Sequence, residues 1–150
     1  MKKAIVLILF ITLLPSCYKN QITKNLDEYL KVYGVNLGTC KVVSIVPAEG
    51  CKSCCMPSIE YTKKGNRDYL LVLTSNFQKS IDFVIQTNSY LKGSRMIIDS
   101  DNLAIEKQLV FITSPTIYFI KNGHVEKKID LSESVDQKSA FKEVDKFLAF

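Results

Sequence analysis

Three cysteines stand within five residues of this sequence, at Cys51, Cys54 and Cys55. Cys51 and Cys54 have the Cys-x-x-Cys spacing typical of thiol–disulfide exchange, in which one thiolate attacks a disulfide and a second thiol resolves the mixed disulfide. Cysteine thiolates are also soft ligands that bind zinc or Cu(I). The residue types therefore leave three interpretations open: a redox couple, a metal site and a structural disulfide.

The start of the chain predicts export from the cytoplasm. Two lysines precede an apolar run, Ala4–Leu14, which at about eleven residues is too short to span a bilayer and is typical of a secretory signal peptide. The LPSC segment ending at Cys17 resembles the lipobox of bacterial lipoproteins, whose cysteine is acylated and becomes the first mature residue. This resemblance implies a signal peptide over residues 1–16, lipid attachment at Cys17 and a tether over residues 17–25. An ordinary signal peptide with an unrelated Cys17 is the alternative.

Length and charge predict one folded domain over residues 26–150, large enough to bury a hydrophobic core. The 150-residue chain has a formal net charge of +5 without a basic cluster, which gives no indication of nucleic-acid binding. Outside the cytoplasm, the four cysteines after Cys17 can form up to two disulfides in three possible pairings. A bond between the neighbours Cys54 and Cys55 is disfavoured because it strains the backbone.

Hydrophobic patterning predicts an α/β arrangement in the first two thirds of the domain. Apolar residues at three- and four-residue spacing predict a first helix over Leu26–Tyr33. Three apolar segments then alternate with two helices, an order typical of a parallel sheet with helices on its faces. The strands are Lys41–Val46, Asp68–Thr74 and Met96–Ile98; the helices are Met56–Lys63 and one capped by Ser75 or Asn76, with Phe77, Ile81 and Val84 on its apolar side.

The last third predicts an antiparallel hairpin followed by a helix. An Asn-Gly pair separates the apolar segments Thr116–Ile120 and His124–Ile129, and this is the strongest short-range hairpin signal because both residues tolerate positive φ. A final helix is expected to start near Ser134, with Gln137 completing a capping box.

These features together resemble the thioredoxin-like superfamily, in particular its membrane-tethered, extracytoplasmic members. The Cys-x-x-Cys lies between a strand and a helix, and the hairpin sequence SPTIYFIKNGHVEKKI follows at the expected place. Residues 98–110 resemble the extra acidic loop and short helix of the larger relatives. The resemblance covers about residues 41–150. It implies a central mixed sheet with a parallel β-α-β half and a C-terminal antiparallel hairpin plus helix.

The resemblance also assigns roles to residues. Cys51 would be the exposed nucleophile, activated at a helix N-terminus that lowers a thiol pKa, and Cys54 the buried resolving thiol. Pro115, after a cis peptide bond from Ser114, would face the two cysteines as the third catalytic residue. Ser114, Pro115 and Gly50 would contact the substrate.

The implied activity is thiol–disulfide exchange with protein thiols and disulfides, without a cofactor because the dithiol itself carries the electrons. A membrane electron carrier is the expected partner that recharges the site. The expected location is the cell envelope, outside the cytoplasm, with the domain anchored through lipidated Cys17.

Three positions depart from the family pattern. Gly50 stands where an aromatic residue usually precedes the first cysteine, and Ile45 stands where many relatives bury a proton-accepting acid. Cys55 has no standard counterpart and is expected to be packed or slowly reactive. The empty acid position keeps a second interpretation open, a non-catalytic surface lipoprotein with the same fold.

Metal binding is the third interpretation. Cys51 and Cys55 have the Cys-x-x-x-Cys spacing of copper-delivering relatives, which add a distant histidine, and His124 is the only histidine in the chain. Zinc would need Cys40 and Cys54 as well. His124 is expected to be exposed at the hairpin, and Cys40 to be buried at the opposite end of its strand from the other cysteines, so no metal ligands are assigned.

Overall fold

The computed structural model describes residues 19–149, which form five α-helices, three short 3-10 helices and five strands. In chain order these are α1 (19–32), β1 (Val42–Pro47), α2 (Lys52–Tyr61), β2 (Tyr69–Thr74), α3 (Gln78–Thr87), β3 (Met96–Asp99), α4 (Leu103–Glu106), β4 (Thr116–Lys121), β5 (His124–Asp130) and α5 (Gln137–Leu148). The predicted signal peptide and Cys17 lie outside the described residues. Within residues 19–149, no helix combines the length and the apolar character needed to cross a bilayer.

The five strands form one mixed sheet in the order β3-β2-β1-β4-β5. Strands β1, β2 and β3 are parallel, and β4 and β5 are antiparallel to their neighbours. Pro47, Thr74 and Asp99 pair in one row where the three parallel strands end. We call this row the carboxyl edge of the sheet. The predicted fold class, a parallel half with a C-terminal hairpin and helix, is confirmed.

Helices cover both faces of the sheet, which explains why its strands are continuously apolar. Val43 and Ile45 of β1 pack with α1 and α4, whereas Val42 and Val46 pack with α2, α3 and α5. All six positions of β1 and all six of β2 are buried. An amphipathic strand would leave one of these helical layers without an apolar surface to pack on.

The hairpin between β4 and β5 turns at Asn122 and Gly123, as predicted. Their φ angles are 53° and 74°, in the left-handed region that asparagine and glycine adopt at least cost. The turn places His124 opposite Lys121 at the edge of the sheet away from the carboxyl edge, because β4 runs antiparallel to β1.

Helix α1 is longer than predicted. Residues 19–25, expected to be a tether, are helical, and Ile22 packs against the core. The Val125 amide donates a hydrogen bond of 3.0 Å to Thr23 Oγ1, so this part of the helix is joined to β5. The predicted start at Leu26 is therefore too late, because a short polar stretch gave no apolar periodicity to recognise.

Three other helix starts differ from the prediction. Helix α2 begins at Lys52 rather than at Met56 and contains Pro57 within it. Phe77 does not lie on the apolar side of α3 but is 66% exposed, because the Phe77 amide donates to Ser75 Oγ and holds the chain outside the helix. Helix α5 begins at Gln137 and is capped by Asp136, which accepts from the Lys138 amide at 3.1 Å. Asp136 takes the capping role that the sequence assigned to Ser134.

A buried carboxylate, Asp99, holds the carboxyl edge together. It has no exposed surface and accepts five hydrogen bonds that come from three parts of the chain. The donors are the hydroxyls of Tyr29 (3.0 Å), Tyr33 (2.7 Å) and Thr74 (2.9 Å) and the amides of Leu103 (3.0 Å) and Ala104 (2.8 Å). The two amide hydrogen bonds cap the N-terminus of α4, which lies in the segment where the family resemblance implied a short helix.

These hydrogen bonds decide the charge of Asp99. Burial alone would raise its pKa, but the donors from Ala104, Tyr33, Leu103 and Thr74 outweigh burial and hold the pKa below its usual value. Asp99 is therefore ionised in the folded protein. A carboxylate with a depressed folded pKa stabilises the fold above its unfolded pKa of about 3.9 and loses that contribution as the pH falls through the folded value.

We predict that Asp99→Asn lowers the free energy of unfolding by about 2–4 kcal/mol at pH 7, because an amide cannot accept all five hydrogen bonds. Urea unfolding at pH 7 and at pH 3 measures the effect, and the gap between variant and wild type should narrow at the lower pH. Asp101→Asn, at an exposed position two residues along, is the matched control and should change little. Equal midpoints for the two variants would contradict this role of Asp99.

Candidate active site

Cys51 lies at the N-terminus of α2, where the loop from β1 ends. It is the cap residue before Lys52, and its carbonyl accepts hydrogen bonds from the amides of Cys54 (3.0 Å) and Cys55 (2.9 Å). The unpaired amides and the positive end of the helix dipole therefore face this residue. This confirms the predicted position of the cysteine between a strand and a helix.

Cys51 and Cys54 differ in exposure and in protonation. The Cys51 side chain is partly exposed, whereas Cys54 is 1% exposed. The hydrogen bond between the two thiols lowers the pKa of Cys51, with Ser53 Oγ, 3.0 Å from Cys51 Sγ, acting in the same direction. The same thiol–thiol bond, followed by burial, raises the pKa of Cys54. One thiol is thus prepared to ionise first, and the other to stay protonated beneath it.

Cys55 is a buried thiol that points away from this pair. It is 6% exposed, and its Sγ donates to the Pro47 carbonyl at 3.5 Å. Burial raises the pKa of Cys55 to about 12. A thiol in this state has almost no thiolate at neutral pH, so Cys55 is not a nucleophile.

Gly50 is required by the close approach of the loop to Cys55. A Cβ at Gly50 would lie 2.8 Å from Pro47 Cγ and 2.9 Å from Cys55 Sγ, both closer than real contacts allow. Gly50 and Cys55 also line a cavity of about 470 Å³ together with Met56, Ile59 and Phe83. The sequence placed Gly50 at the rim of the site, and the structure gives a steric reason for a glycine there.

The loop before β4 reaches the cysteines through Thr113. The Cys51 amide donates a hydrogen bond of 2.9 Å to the Thr113 carbonyl, and Ser114 and Pro115 follow as buried residues. The peptide bonds of the described residues are all trans, so the expectation of a cis bond before Pro115 is wrong. The Pro115 carbonyl accepts from the Leu131 amide at 2.8 Å, which joins the start of β4 to the end of β5.

The acid at the pair is Glu133, which the sequence did not single out. The Cys51 thiol donates to Glu133 Oε1 at 3.6 Å, across 82 residues of chain. Ile45 is fully buried in the core, and Glu49 accepts from Ser75 Oγ instead of contacting a cysteine. Glu133 lies in the loop after β5 without any local motif, so only the fold brings it to Cys51.

The structure does not bring together the candidate metal ligands. The four described cysteines are free thiols, and Cys40 is buried before β1, at the opposite end of that strand from Cys51. His124 is exposed at the hairpin on the same far edge, as predicted. Among residues 19–149, no group of three or more histidine, cysteine, aspartate or glutamate side chains is placed to hold a metal ion.

Solved structures of low sequence identity share this architecture. A protein described as the thiol:disulfide interchange protein DsbE from Chlorobium tepidum matches with a TM-score of 0.54 and 12% identity, over 75% of this chain and 82% of that one. A secreted Mycobacterium tuberculosis disulfide oxidoreductase, homologous to E. coli DsbE, matches at 0.51 and 12%, over 72% and 78%. The thioredoxin domain of a thiol-disulfide oxidoreductase from Bacteroides vulgatus matches at 0.50 and 13%, over 75% and 81%.

No family model matches the sequence, and no curated protein is significantly similar to it. At 12–13% identity, these structural matches establish the architecture of the chain. The five-stranded mixed sheet, the helices on both faces and the C-terminal hairpin agree with it. The chain has the thioredoxin-like fold.

Proposed function

We propose that this protein is a thiol–disulfide oxidoreductase in which Cys51 is the nucleophile and Cys54 the resolving thiol. The observation that carries the proposal is the contrast between the two thiols. The Cys51 thiol is partly exposed at a helix N-terminus and its pKa is lowered, whereas the Cys54 thiol is buried and its pKa is raised. Sequential thiol exchange needs this asymmetry, because a substrate must meet one sulfur first.

In the reducing direction, the Cys51 thiol loses its proton and its sulfur attacks one sulfur of a substrate disulfide. The substrate S–S bond breaks, a mixed disulfide forms, and the leaving sulfur takes up a proton. Cys54 then loses its proton and attacks Cys51 Sγ, which releases the second substrate thiol. Two electrons and two protons pass to the substrate, so no cofactor is required. A membrane electron carrier is the proposed source of electrons that returns the site to the dithiol.

The substrate surface is proposed to include Gly50, Ser114 and Pro115. Gly50 precedes Cys51 in the chain, and Ser114 and Pro115 follow Thr113, whose carbonyl accepts from the Cys51 amide. The nearby loop also presents two exposed apolar side chains, Phe111 at 59% and Ile112 at 61% exposure. Exposed apolar side chains beside a reactive thiol suit an unfolded or extended protein segment, which offers its own apolar residues.

The chain is proposed to act outside the cytoplasm, anchored by lipid on Cys17 after removal of residues 1–16. The arrangement of α1 is compatible with such an anchor. Thr23, near the start of α1, contacts β5 beside the hairpin, whereas Tyr33 at its other end reaches Asp99 on the carboxyl edge. The chain therefore enters the domain on the side away from Cys51, and an anchor there leaves the thiol facing outward.

A non-catalytic scaffold is the second candidate, and the apolar Ile45 at the usual acid position favours it. The two candidates differ in what the cysteines do. A scaffold would keep its properties when Cys51 is replaced, whereas an oxidoreductase would lose its activity.

We predict that Cys51→Ser abolishes the reduction of insulin disulfides, because the sulfur that starts the exchange is missing. Cys54→Ser should accumulate mixed disulfides with the substrate, released by dithiothreitol, because resolution is blocked. Turbidity of reduced insulin and non-reducing gels measure the two effects. Cys55→Ala is the matched control and should keep its turnover, since its thiol is buried with a pKa of about 12. Wild-type turnover in Cys51→Ser would favour the scaffold.

For the anchor, we predict that Cys17→Ser abolishes incorporation of radioactive palmitate and moves the protein out of the detergent phase in Triton X-114 partition. Several acyl chains hold a protein on a membrane stably, and removing the acceptor thiol removes them. Cys54→Ser, expressed in the same bacterium, should stay labelled and membrane-bound. Label retained by Cys17→Ser would overturn the lipid attachment at this residue.

For the loop, Gly50→Ala should lower the free energy of unfolding by about 1–3 kcal/mol, because the new Cβ overlaps Pro47 and Cys55. Gly93→Ala is the matched control: its Cβ would meet no atom within 4 Å. We expect that control to change stability by about 0.5 kcal/mol or less. Urea unfolding midpoints decide between them, and a Gly50→Ala protein as stable as the control would show that the close approach is not needed.

A further inference from the structure

Glu133 is the carboxylate in contact with the reacting sulfur. Its Oε1 lies 3.6 Å from Cys51 Sγ, and the thiol is the donor. Glu133 belongs to the loop between β5 and α5, next to Ser132, whose hydroxyl pairs with that of Ser134. Because Leu131 in the same loop is fully buried and bonded to the Pro115 carbonyl, the base of the loop is fixed beside the cysteines.

Proton transfer at this site has few other candidates among the described residues. Ile45 of β1 is apolar, and the loop of residues 111–115 contains no charged side chain. Glu49 is engaged by Ser75, and Asp136, further along the same loop as Glu133, caps α5. The first turn of α2 carries the exposed Lys52 and the thiols of Cys54 and Cys55. The other ionisable groups of α2 lie at its far end, where Glu60 pairs with Lys63 and the Tyr61 hydroxyl donates to Asp145.

We propose that Glu133 is a catalytic residue of this exchange: it accepts the proton of the Cys51 thiol and returns a proton to the sulfur that leaves. The proposal rests on the proposed function. In the first step the Cys51 S–H proton moves to Glu133 Oε1, and the thiolate attacks the substrate disulfide. As the substrate S–S bond breaks, its leaving thiolate takes the proton back from Glu133. The carboxylate is thus unchanged over this step.

The charge of Glu133 also acts on the thiol before the substrate arrives. A carboxylate beside a thiol disfavours the thiolate, and Glu133 accordingly raises the pKa of Cys51 against the larger lowering by Cys54 and Ser53. Removing the charge therefore increases the thiolate fraction of Cys51 while it removes the group that carries the proton. Removal of the charge should therefore speed alkylation of Cys51 and slow the turnover of disulfides.

Glu133→Gln tests the proposal, since it keeps the shape and a hydrogen-bond acceptor but cannot carry a proton. Alkylation of Cys51 by iodoacetamide, followed by peptide mapping between pH 5 and 9, reports the thiolate. We expect a lower apparent pKa and a rate at pH 6 about threefold or more above wild type. Insulin reduction at pH 7 reports the full exchange. We expect turnover to fall about tenfold, less than a buried general acid contributes because solvent reaches the site.

Glu126→Gln, the same change at an exposed position near the hairpin, is the matched control and should leave both measurements unchanged. Faster alkylation together with slower turnover supports the proposal. Any other result overturns the proposal. If both rates fall, the role of Glu133 is structural, and if both rise, Glu133 acts only through its charge. If neither rate changes, Glu133 does not contact Cys51. Wild-type protein that reduces no disulfide would overturn the proposed function, whatever Glu133 does to alkylation, and the catalytic role with it.

Discussion

The carboxyl edge of the sheet depends on one buried charge. Asp99 accepts the Thr74 hydroxyl, and the Thr74 carbonyl in turn accepts the amide of Ala48, in the loop that carries Cys51. The Ser75 amide bonds to the Asp99 carbonyl, and the Ser75 hydroxyl holds Glu49. A continuous set of hydrogen bonds therefore joins α1, the ends of two strands and the loop before α2. Water cannot reach the buried, ionised Asp99 carboxylate to replace these donors. The segments that supply the donors are therefore held in one arrangement.

The Cys51 thiol is set apart from the Cys54 and Cys55 thiols by its position on the backbone. A parallel strand must return through a helix, and that helix begins at the carboxyl edge with its unpaired amides facing outward. Cys51 occupies this helix start, Cys54 lies one turn along on the buried side, and Cys55 is rotated by about 100° from Cys54 into the space under Gly50. Three sulfurs that are close in sequence thus experience a helix terminus, a thiol–thiol hydrogen bond and an apolar interior respectively.

Local patterns were sufficient for most of the fold. The apolar strands, the Asn-Gly turn and the position of Cys51 before α2 depend on residues near one another in sequence, and the structure confirms them. Contacts between distant segments were not predictable in this way. Glu133 reaches Cys51 only because β5 ends at the carboxyl edge, and neither the trans bond before Pro115 nor the role of Asp99 has a local signature. The predicted start of α5 was wrong because both Ser134 and Asp136 are suitable N-cap residues. In the structure it is Asp136 that accepts the hydrogen bond from the Lys138 amide.

Helix α1 crosses the sheet from the hairpin side to the carboxyl edge, and this sets the distance between the start of α1 and Cys51. Strand β1 has six residues, so the two edges are about 20 Å apart. A domain held at its entry side would carry Cys51 at least that far from the point of attachment. With the proposed lipid anchor, an electron donor embedded in the same bilayer could not meet the thiol within the lipid. It would need a protruding arm or a soluble domain of comparable height. Under the proposed function and anchor, the fold would select redox partners by their reach, before any side chain of the site is involved.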